Sequence, residues 1–388
     1  MTLPKLRRTL TIWPLIFYGM GVIVGAGIYV ALGSVIARAG EAAPFCFLLA
    51  GATACLTGLC YAELASRYPE AAGAAAYAGY GFRSDRAVVL LGAVVALTVA
   101  LSAASITRGA VHYLTAFMPL PNWLLAPALI VALTAIAAVG VRESVGLAAA
   151  LGVLEIVGLL VAIGAGFLAA PDYDLSGMIP RTLDGWRGVA SGAFIAFVGF
   201  ETLANMAEEV MVPTVTVPRS IVVAVGASLI LYVGVAVAVV LADRGDGSRL
   251  LELFEGRSRT AFAWVGFLSV ANGVLVQIVM LSRLLYGMAN KGRLPALLAY
   301  INPKTRTPIV ATALAGLIAL MAAMAAPFES LLVVTNTLTL GVFMVVDVAL
   351  CLIQWREPAK AGGFAVQRAV PPLAALLTAF VLIVELAG

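Results

Sequence analysis

Four glycines lie close together in the stretch GMGVIVGAGIYV near the start of the chain, and three of them, Gly21, Gly25 and Gly27, are spaced as in a glycine-rich loop. Such a spacing can form a phosphate-binding loop, but a dinucleotide fingerprint also needs a preceding strand and an acidic residue about twenty positions later. Here apolar sequence flanks the glycines on both sides, over a length that could cross a bilayer. Two uses of glycine in membranes then compete: close packing of neighbouring helices, or interruption of a spanning helix.

A second glycine stretch, in the middle of the chain, carries a carboxylate. In GAFIAFVGFETLANMAEE, Glu201 follows Gly199 by two positions. A carboxylate at this depth costs about 2.5–3.5 kcal/mol on insertion scales unless it faces protein or water. Interrupted helices at matching positions of two halves are typical of inverted-repeat transporters. The two stretches together therefore favour interruption over simple packing.

An interrupted helix supplies its own binding chemistry through the backbone. In lipid, each unpaired N–H or C=O group would cost several kcal/mol, so such breaks must line a cavity. The N-terminus of a half-helix attracts an anion, and the carbonyl groups at a C-terminus attract a cation. A small zwitterion with a carboxylate and an ammonium group matches both ends.

The composition indicates that membrane-spanning helices position these stretches. The 388 residues are 62% hydrophobic and 11% charged, with a mean hydropathy of +1.05. A water-soluble domain needs more charge to cover its surface, whereas lipid makes this balance ordinary. The first apolar run is too long for a cleavable signal peptide, which predicts a true span.

We predict about eleven spans of roughly 20 apolar residues, with ten or twelve as alternatives. They are Ile12–Ala37, Ala42–Ser66, Ala87–Phe117, Trp123–Val141, Ser144–Ala169, Arg187–Glu208, Ser220–Ala242, Ala261–Ala289, Pro308–Ala325, Ser330–Trp355 and Val370–Ala387. Between spans two and three, the segment RYPEAAGAAAYAGYGFR predicts a helix at the inner interface, with Tyr68, Tyr77, Tyr80 and Phe82 at headgroup level.

The distribution of lysine and arginine predicts the orientation. These residues favour cytoplasmic loops, and their bias of about two to one here predicts a cytoplasmic N-terminus in the cell membrane. The loop DRGDGSRLLELFEGRSR opposes this orientation because it places four arginines outside. An odd number of spans would put the C-terminus outside, and ten or twelve would put it inside.

Four stretches, in this order, resemble the amino acid–polyamine–organocation (APC) family of permeases. They are GVIVGAGIYV, YAELASRYPEAAGAAAY, FIAFVGFETLANMAEEVMVPTVTVPRSI and SRLLYGMANKGRLPALLAYINPKTRTP. The resemblance covers nearly the whole chain. It implies an all-α polytopic membrane protein of LeuT-type fold, a 5+5 inverted repeat with broken helices 1 and 6. The repeats would be residues 1–170 and 187–355, followed by an extra transmembrane helix in 356–388.

The same resemblance implies a substrate site built from main-chain groups. The substrate carboxylate would meet the N–H groups of Ala26 and Gly27, and Gly25 would let the chain turn. The ammonium group would meet carbonyl groups of spans one and six, namely Ile23, Ile195, Ala196 and Val198. The gate would include Ile195, which is aliphatic where the family often has an aromatic residue, together with the flanking Phe194 and Phe197.

Charged residues within or near the spans are the remaining candidates. Glu155 is the only charged residue of AALGVLEIVGLL, and it could carry protons, bind a cation or only stabilise packing. Some family members carry a lysine there, so no role transfers unchanged. Glu201 is expected to face the bundle interior. Near the inner end of span six, Glu208 and Glu209 are expected to pair with a basic residue, Arg219 or Arg283.

These features predict a secondary active transporter of amino acids that works by alternating access. Neutral substrates are favoured, with either proton coupling or exchange. Glu201 keeps a cationic amino acid or polyamine transporter as the alternative, and a non-transporting sensor or scaffold is the candidate of another class. The scattered acids offer no catalytic pair, and the sequence predicts no enzyme, metal, cofactor or nucleic-acid partner. The oligomeric state stays open.

Overall fold

The computed structural model describes residues 8–115, 118, 120–170, 178–179, 194–242, 250–358 and 362–387. Within them the chain is almost entirely organised as α-helices and 3₁₀ turns. The helices are α1 (Ile12–Ala26), α2 (Ile28–Ala39), α3 (Ala43–Arg67), α4 (Ala74–Phe82), α5 (Asp85–Thr115), α6 (Asn122–Val139), α7 (Val141–Ala169), α8 (Thr202–Asn205), α9 (Pro213–Ala242), α10 (Gly256–Asn290), α11 (Ile309–Ala325), α12 (Phe328–Arg356) and α13 (Val370–Ala387).

The helices confirm an all-α polytopic membrane protein. Seven of them in the described residues are long and apolar enough to cross a bilayer: α3, α5, α6, α7, α9, α10 and α12. Three shorter apolar helices, α1, α11 and α13, occupy other predicted spans. Lipid offers no hydrogen bonds to a backbone, so helices that satisfy their own groups are the expected solution. The division into two repeats stays a prediction.

Two predicted spans are not continuous helices. Span one is divided at Gly27 into α1 and α2. In span six, residues 187–193 lie outside the described part, and the rest is a 3₁₀ turn (Phe194–Phe197), a bend, the single turn α8 and a second 3₁₀ turn (Ala207–Glu209). The hydrophobicity of the sequence therefore predicted where these two segments lie. How much of each is helical depends on its local hydrogen bonds.

Burial places α10 at the centre of the bundle. In its most apolar stretch 83% of the residues are buried, against 28% for α6, which lies at the periphery. The helix α1 packs against α7, α9 and α10, and α3 runs along α9. A second group is formed by α12, which packs against α13 and α5. The first broken segment thus lies inside the core, and the 3₁₀ turn Phe194–Phe197 of the second packs against α1, α3 and α12.

The outer helices present apolar side chains to their surroundings. On α13, Leu376 is 70% exposed and Ile383 is 64% exposed. On α7, Leu168 is 90% exposed. Contiguous apolar surface of this kind promotes aggregation in water, whereas it is typical of a surface that faces lipid. The chain is therefore an integral membrane protein, while the membrane that holds it and its orientation stay predictions.

The predicted interfacial helix is present as α4, but one of its tyrosines was wrongly placed. Tyr68 and Tyr80 stack with ring centroids 3.9 Å apart, and Tyr80 is 40% exposed, as an interfacial ring should be. Tyr77 is instead fully buried against Tyr61 of α3. A helix that packs on the bundle must bury one face, and Tyr77 lies on that face.

The Tyr80 hydroxyl takes part in a surface hydrogen-bond network. Burial, followed by a hydrogen bond to Glu70, raises the pKa of Tyr80 to about 12. Its hydroxyl therefore donates at neutral pH to Glu70, at 2.6 Å. Glu70 also pairs with Lys291 at the end of α10, at 3.2 Å. This surface network ties α4 to α10.

Candidate functional site

The first break in the bundle is confined to one residue. Gly27 lies between α1 and α2 with φ −87° and ψ −89°, which is outside the helical region. Its N–H donates to Ile23 O at 2.9 Å, and its carbonyl accepts from Ala31 N–H at 2.8 Å. The Gly27 N–H, predicted to be free for a carboxylate, therefore completes the last turn of α1 in this conformation.

The helix α1 continues through Gly25 and Ala26, so the chain does not turn at Gly25, where the turn was predicted. The first N–H groups of any helix lack partners within it. After the break, the N–H groups without helical partners are those of the first turn of α2, residues 28–30. This turn starts two residues after Ala26, which was predicted to be a donor. An anion at this break would therefore meet the α2 turn.

The other glycines of this stretch serve close packing. A Cβ atom at Gly21 would lie 3.0 Å from Gly152 Cα of α7 and 2.8 Å from the Asn272 amide of α10. A Cβ atom at Gly25 would overlap the carbonyl of Ser269 on α10. The two interpretations of the glycines thus both apply, at different positions: Gly21 and Gly25 allow close approach, and Gly27 interrupts the helix.

The second break surrounds Gly199, whose φ of 127° is a conformation that side chains disfavour. The N–H of Gly199 donates to Glu201 Oε2 at 2.8 Å, and the Thr202 hydroxyl donates to Gly199 O at 2.6 Å. Two polar side chains therefore satisfy the backbone of this bend. Glu201 faces the protein interior and is 8% exposed.

One hydroxyl group joins the two breaks. Tyr232 of α9 is fully buried, and its Oη donates towards Ile23 O at 2.6 Å and Ala196 O at 2.9 Å. It also meets the N–H of Ile28, the first residue of α2. The carbonyls of Ile23 and Ala196 were predicted to bind an ammonium group, so the Tyr232 hydroxyl occupies the position expected for that group.

Aromatic rings surround the breaks, including both predicted gate phenylalanines. Phe197 packs on Tyr232 with ring centroids 4.9 Å apart, and Phe194 meets Phe343 of α12 edge-on at 5.7 Å. Val198, which follows Phe197 in the chain, is also buried. The side chain of the third gate candidate, Ile195, lies outside the described atoms, so only its backbone, in the 3₁₀ turn, is placed.

A small cavity lies beside the second break, between α3, α5, α10 and α12. Its volume of about 20 Å³ is room for one water molecule. Its polar lining comes from Tyr61, Thr98, Glu201, Asn205 and Thr339. Its apolar lining comes from Ala74, Val95, Val99, Met280, Val342 and Phe343. A side chain bound at the breaks could extend into this cavity.

Glu155 lies behind the first break. It is fully buried on α7, and its Oε1 accepts from the Asn272 amide of α10 at 2.9 Å. Its backbone carbonyl accepts from the Tyr29 hydroxyl of α2 at 3.4 Å. Its Oε2 has no hydrogen-bond partner among the described atoms. Glu155 thus contacts α10 through its carboxyl group and α2 through its backbone carbonyl, while its free Oε2 lies beside Gly25 of α1, where a Cβ atom would be 3.2 Å from it.

An ion pair closes the end of the bundle near the N-terminus. Glu209 Oε1 accepts from Arg283 Nε at 2.7 Å, and both side chains are almost completely buried. Glu208 instead accepts from the backbone N–H of Ala71, at 3.0 Å. Of the two arginines proposed as partners, Arg219 is exposed and takes no part in this ion pair.

A backbone clamp strengthens the same closure. The N–H groups of Thr9 and Leu10 donate to Glu209 O at 2.9 and 3.1 Å, and Met211 N–H donates to Leu10 O at 3.1 Å. The segment before α1 is therefore pinned to the end of span six. The buried ion pair and this clamp therefore lie at the same end of the bundle.

Two residues of this region were missed by sequence reasoning. Tyr232 lies in an apolar run, ILYVGVAV, and nothing in its neighbours signals a contact with both breaks. Asp347 stands alone in GVFMVVDVALCLI on span ten, and it is fully buried. The argument applied to Glu155 applies equally to Asp347, because an isolated acid in a span is a functional candidate.

The chain matches a known family and several characterised relatives. A family model described as amino acid permease matches residues 10–387. The chain is 31% identical to cationic amino acid transporter 9, chloroplastic, of Arabidopsis thaliana, over 77% of this chain and 58% of that protein. It is 27% identical to the methylthioribose transporter of Bacillus subtilis (strain 168), over 93% of this chain and 84% of that protein.

A human relative gives a similar match. Cationic amino acid transporter 4 of Homo sapiens is 27% identical over 91% of this chain and 61% of that protein. The chain therefore spans roughly three fifths of the plant and human relatives, at 58% and 61% of their lengths. What these names say of substrates and compartments applies to those proteins.

Proposed function

The chain belongs to the amino acid permease family of the APC group, and on this premise we propose that it is a secondary active transporter of amino acids. The single observation that carries the proposal is the meeting of both helix breaks at the Tyr232 hydroxyl. In this proposal the substrate ammonium group replaces that hydroxyl at the carbonyls of Ile23 and Ala196.

The carboxylate of the substrate would then lie at the first turn of α2. The N–H groups there lack intrahelical acceptors, and the helix N-terminus favours negative charge. The proposed site for a zwitterion therefore remains at Gly27, but the substrate carboxylate lies nearer to residues 28–30 than was predicted. Ile195 and Val198, with Ala196, would supply the carbonyls on the side of span six. Alternating access would require the Glu209–Arg283 closure to open.

We propose neutral amino acids as the substrates. The cavity that would take the side chain is small, and more than half of its lining residues are apolar. Glu201, its only carboxylate, already uses one oxygen to satisfy the backbone of Gly199. A small or apolar side chain therefore fits the cavity with the least rearrangement.

A thermal-shift series on the purified protein tests this function. A ligand that binds only the folded state stabilises it by about 2.7 kcal/mol at 100 times its dissociation constant. Neutral amino acids should raise the unfolding temperature, and the same compounds should compete in counterflow uptake into proteoliposomes. Stabilisation without counterflow would favour a non-transporting sensor. No response to any amino acid or amine would refute the proposal.

The second candidate is a transporter of cationic amino acids or polyamines. The observation that favours it is Glu201 in the wall of the cavity, in agreement with the names of the plant and human relatives. Charge-assisted hydrogen bonds contribute about 1.5–3 kcal/mol, so their loss should cost roughly 10- to 100-fold in affinity.

Glu201→Gln separates the two candidates. Glutamine can still accept from the Gly199 N–H, so the bend should survive, but the negative charge is lost. If substrates are neutral, we expect their apparent affinity to stay within about 3-fold, well below the cost of a lost charge-assisted bond. A selective loss of lysine, arginine or diamine uptake of about 10-fold or more would favour the cationic candidate instead.

Glu155 is proposed as the proton carrier for coupled uptake. Its backbone carbonyl bonds to α2, its carboxyl group lies beside Gly25 of α1 and bonds to α10, and one carboxyl oxygen is free for a proton. Glu155→Gln keeps the bond with the Asn272 amide possible but cannot lose or gain a proton. We expect uptake driven by a pH gradient to disappear while exchange persists. Unchanged uptake across pH would remove Glu155 from the coupling mechanism.

A further inference from the structure

A second buried carboxyl group lies away from the helix breaks. Asp347 of α12 accepts through Oδ2 from the Thr57 hydroxyl of α3 at 3.0 Å. The Thr57 hydroxyl is 3.4 Å from that of Thr378 on α13. Cys60 of α3 and Thr378 are also hydrogen-bonding neighbours of the carboxyl group. All four side chains are completely buried, and they connect three helices.

The neighbours of Asp347 provide no balancing positive charge. From α3 it faces the thiol of Cys60, the phenol of Tyr61 and, further along, Glu63. Glu63 is already bound to Arg67, at 2.6 Å, and to the Gln354 amide, at 2.8 Å. Cys351 lies one turn along α12. The nearest groups in the described residues are thus hydroxyls, thiols and acids.

Other packed helices add no cation. The helix α5 faces this part of α12 with Val95, Thr98 and Val99, and α4 faces it with Tyr77, which packs on Tyr61. On α13 the next acid, Glu385, lies seven residues beyond Thr378, about 10 Å along the helix. An ionised Asp347 would therefore be a buried charge stabilised only by neutral donors.

Burying such a charge costs more than burying a neutral acid with one unpaired oxygen. Asp347 Oδ1 has no hydrogen-bond partner among the described atoms, so it is the oxygen that can hold a proton. The oxygen atoms are spaced as in hydrogen bonds, at 3.0 and 3.4 Å. A hard metal ion would need about six oxygens drawn to about 2.0–2.6 Å. The spacing of these oxygens therefore suits a bound proton and not a metal ion.

The cluster lies on the seam between the two helix groups. Thr57 and Cys60 belong to α3, which runs along α9, whereas Asp347 belongs to α12, which packs on α13 and α5. One turn away, Tyr61 of α3 meets Phe343 of α12 at 5.6 Å, and both rings line the cavity beside Glu201. A movement that parts these rings to open the cavity would also part Thr57 from Asp347.

We propose that Asp347 is a proton-binding site in this seam, and that it releases its proton to water when α3 and α12 separate. The coupling part of the proposal rests on the proposed transport function. The separation removes the Thr57 hydrogen bond and admits water, which stabilises the carboxylate and accepts the proton. Reclosure requires a proton to return. The site thereby links proton binding to opening of the cavity.

Infrared spectroscopy tests the proton directly, without any transport. The unsubstituted protein in lipid nanodiscs should show the carbonyl stretch of protonated carboxyl groups, and Asp347→Asn should lose one component of that band, while the component of Glu155 remains. Glu385→Gln, which removes a carboxyl group from α13 outside the seam, is the matched control and should keep it. An unchanged band in Asp347→Asn would overturn the proposal.

Proteoliposomes test the coupling. We expect the rate of counterflow exchange by Asp347→Asn to stay within about 3-fold of the unsubstituted rate, which is less than the tenfold that corresponds to about 1.4 kcal/mol. We expect the same variant to lose accumulation driven by a pH gradient. Accumulation equal to that of the unsubstituted protein would overturn the coupling. The coupling would also be overturned if the unsubstituted protein carried out counterflow but did not respond to the pH gradient. If no variant exchanges amino acids, the transport function fails, and the infrared band still decides the proton site.

Discussion

Gly27→Ala should lower amino acid uptake by roughly 10- to 100-fold, the equivalent of an overpacking cost of about 1–3 kcal/mol. The new methyl group would overlap the Ala196 carbonyl, the Tyr232 hydroxyl and the Ile23 carbonyl. Two of these three are backbone atoms, which cannot rotate away. The two broken segments would be forced apart at the point where they meet.

Initial uptake rates in proteoliposomes measure this effect, and Gly33→Ala is the matched control. Gly33 lies in α2, and a Cβ atom there would meet nothing within 4 Å. Alanine stabilises a helix interior by about 0.5–1 kcal/mol relative to glycine, so the control should fold and transport normally. Normal uptake by Gly27→Ala would mean that the contact between the breaks is not needed for transport.

Glu209→Gln should lower the free energy of unfolding by about 3–5 kcal/mol, because it leaves the Arg283 charge buried without a partner. Arg283 and Glu209 are respectively 0% and 1% exposed, so water cannot replace the lost carboxylate. Thermal unfolding in detergent, followed by a fluorescence probe, measures the loss. The double variant Glu209→Gln, Arg283→Met should recover part of it, since the buried charge is then also removed.

Asp85→Asn is the control for that measurement. Asp85 pairs with Arg293 at 2.6 Å, but it is 88% exposed. An exposed pair contributes about 0–1 kcal/mol, so this variant should unfold close to the unsubstituted protein. Equal stability of Glu209→Gln and Asp85→Asn would contradict a structural role for the buried pair.

The sequence predicted the positions of the spans because apolar length is a strong signal in a membrane protein. It also placed a break in span one, but at Gly25, two residues before the observed interruption at Gly27. It placed the bend of span six at Gly199, whose φ of 127° favours glycine. Charge and position near one end of the bundle predicted a pair with Arg219 or Arg283 for both Glu208 and Glu209, and the structure forms only the pair of Glu209 with Arg283.

The hydrogen bonds at the breaks could not be predicted in the same way. The helical bond from Gly27 N–H to Ile23 O depends on how α1 is packed against α7 and α10, which no local pattern reports. The Tyr232 contact joins residues separated by 209 positions. The burial of Tyr77 likewise depends on Tyr61, a partner on another helix. These features depend on how the helices pack against one another, which the periodicity of the sequence does not predict.

The clamp between Leu10 and Met211 also has a practical consequence for how this protein is handled. A purification tag or fluorescent reporter joined directly ahead of Thr9 would pull on the strand-like pairing that seals one mouth of the bundle. A fusion after α13 lies outside this clamp, whose backbone bonds join residues 9 and 10 to residues 209 and 211. Reporter placement would thereby bias which conformation is captured, and C-terminal fusions are the better choice for comparing closed and open forms.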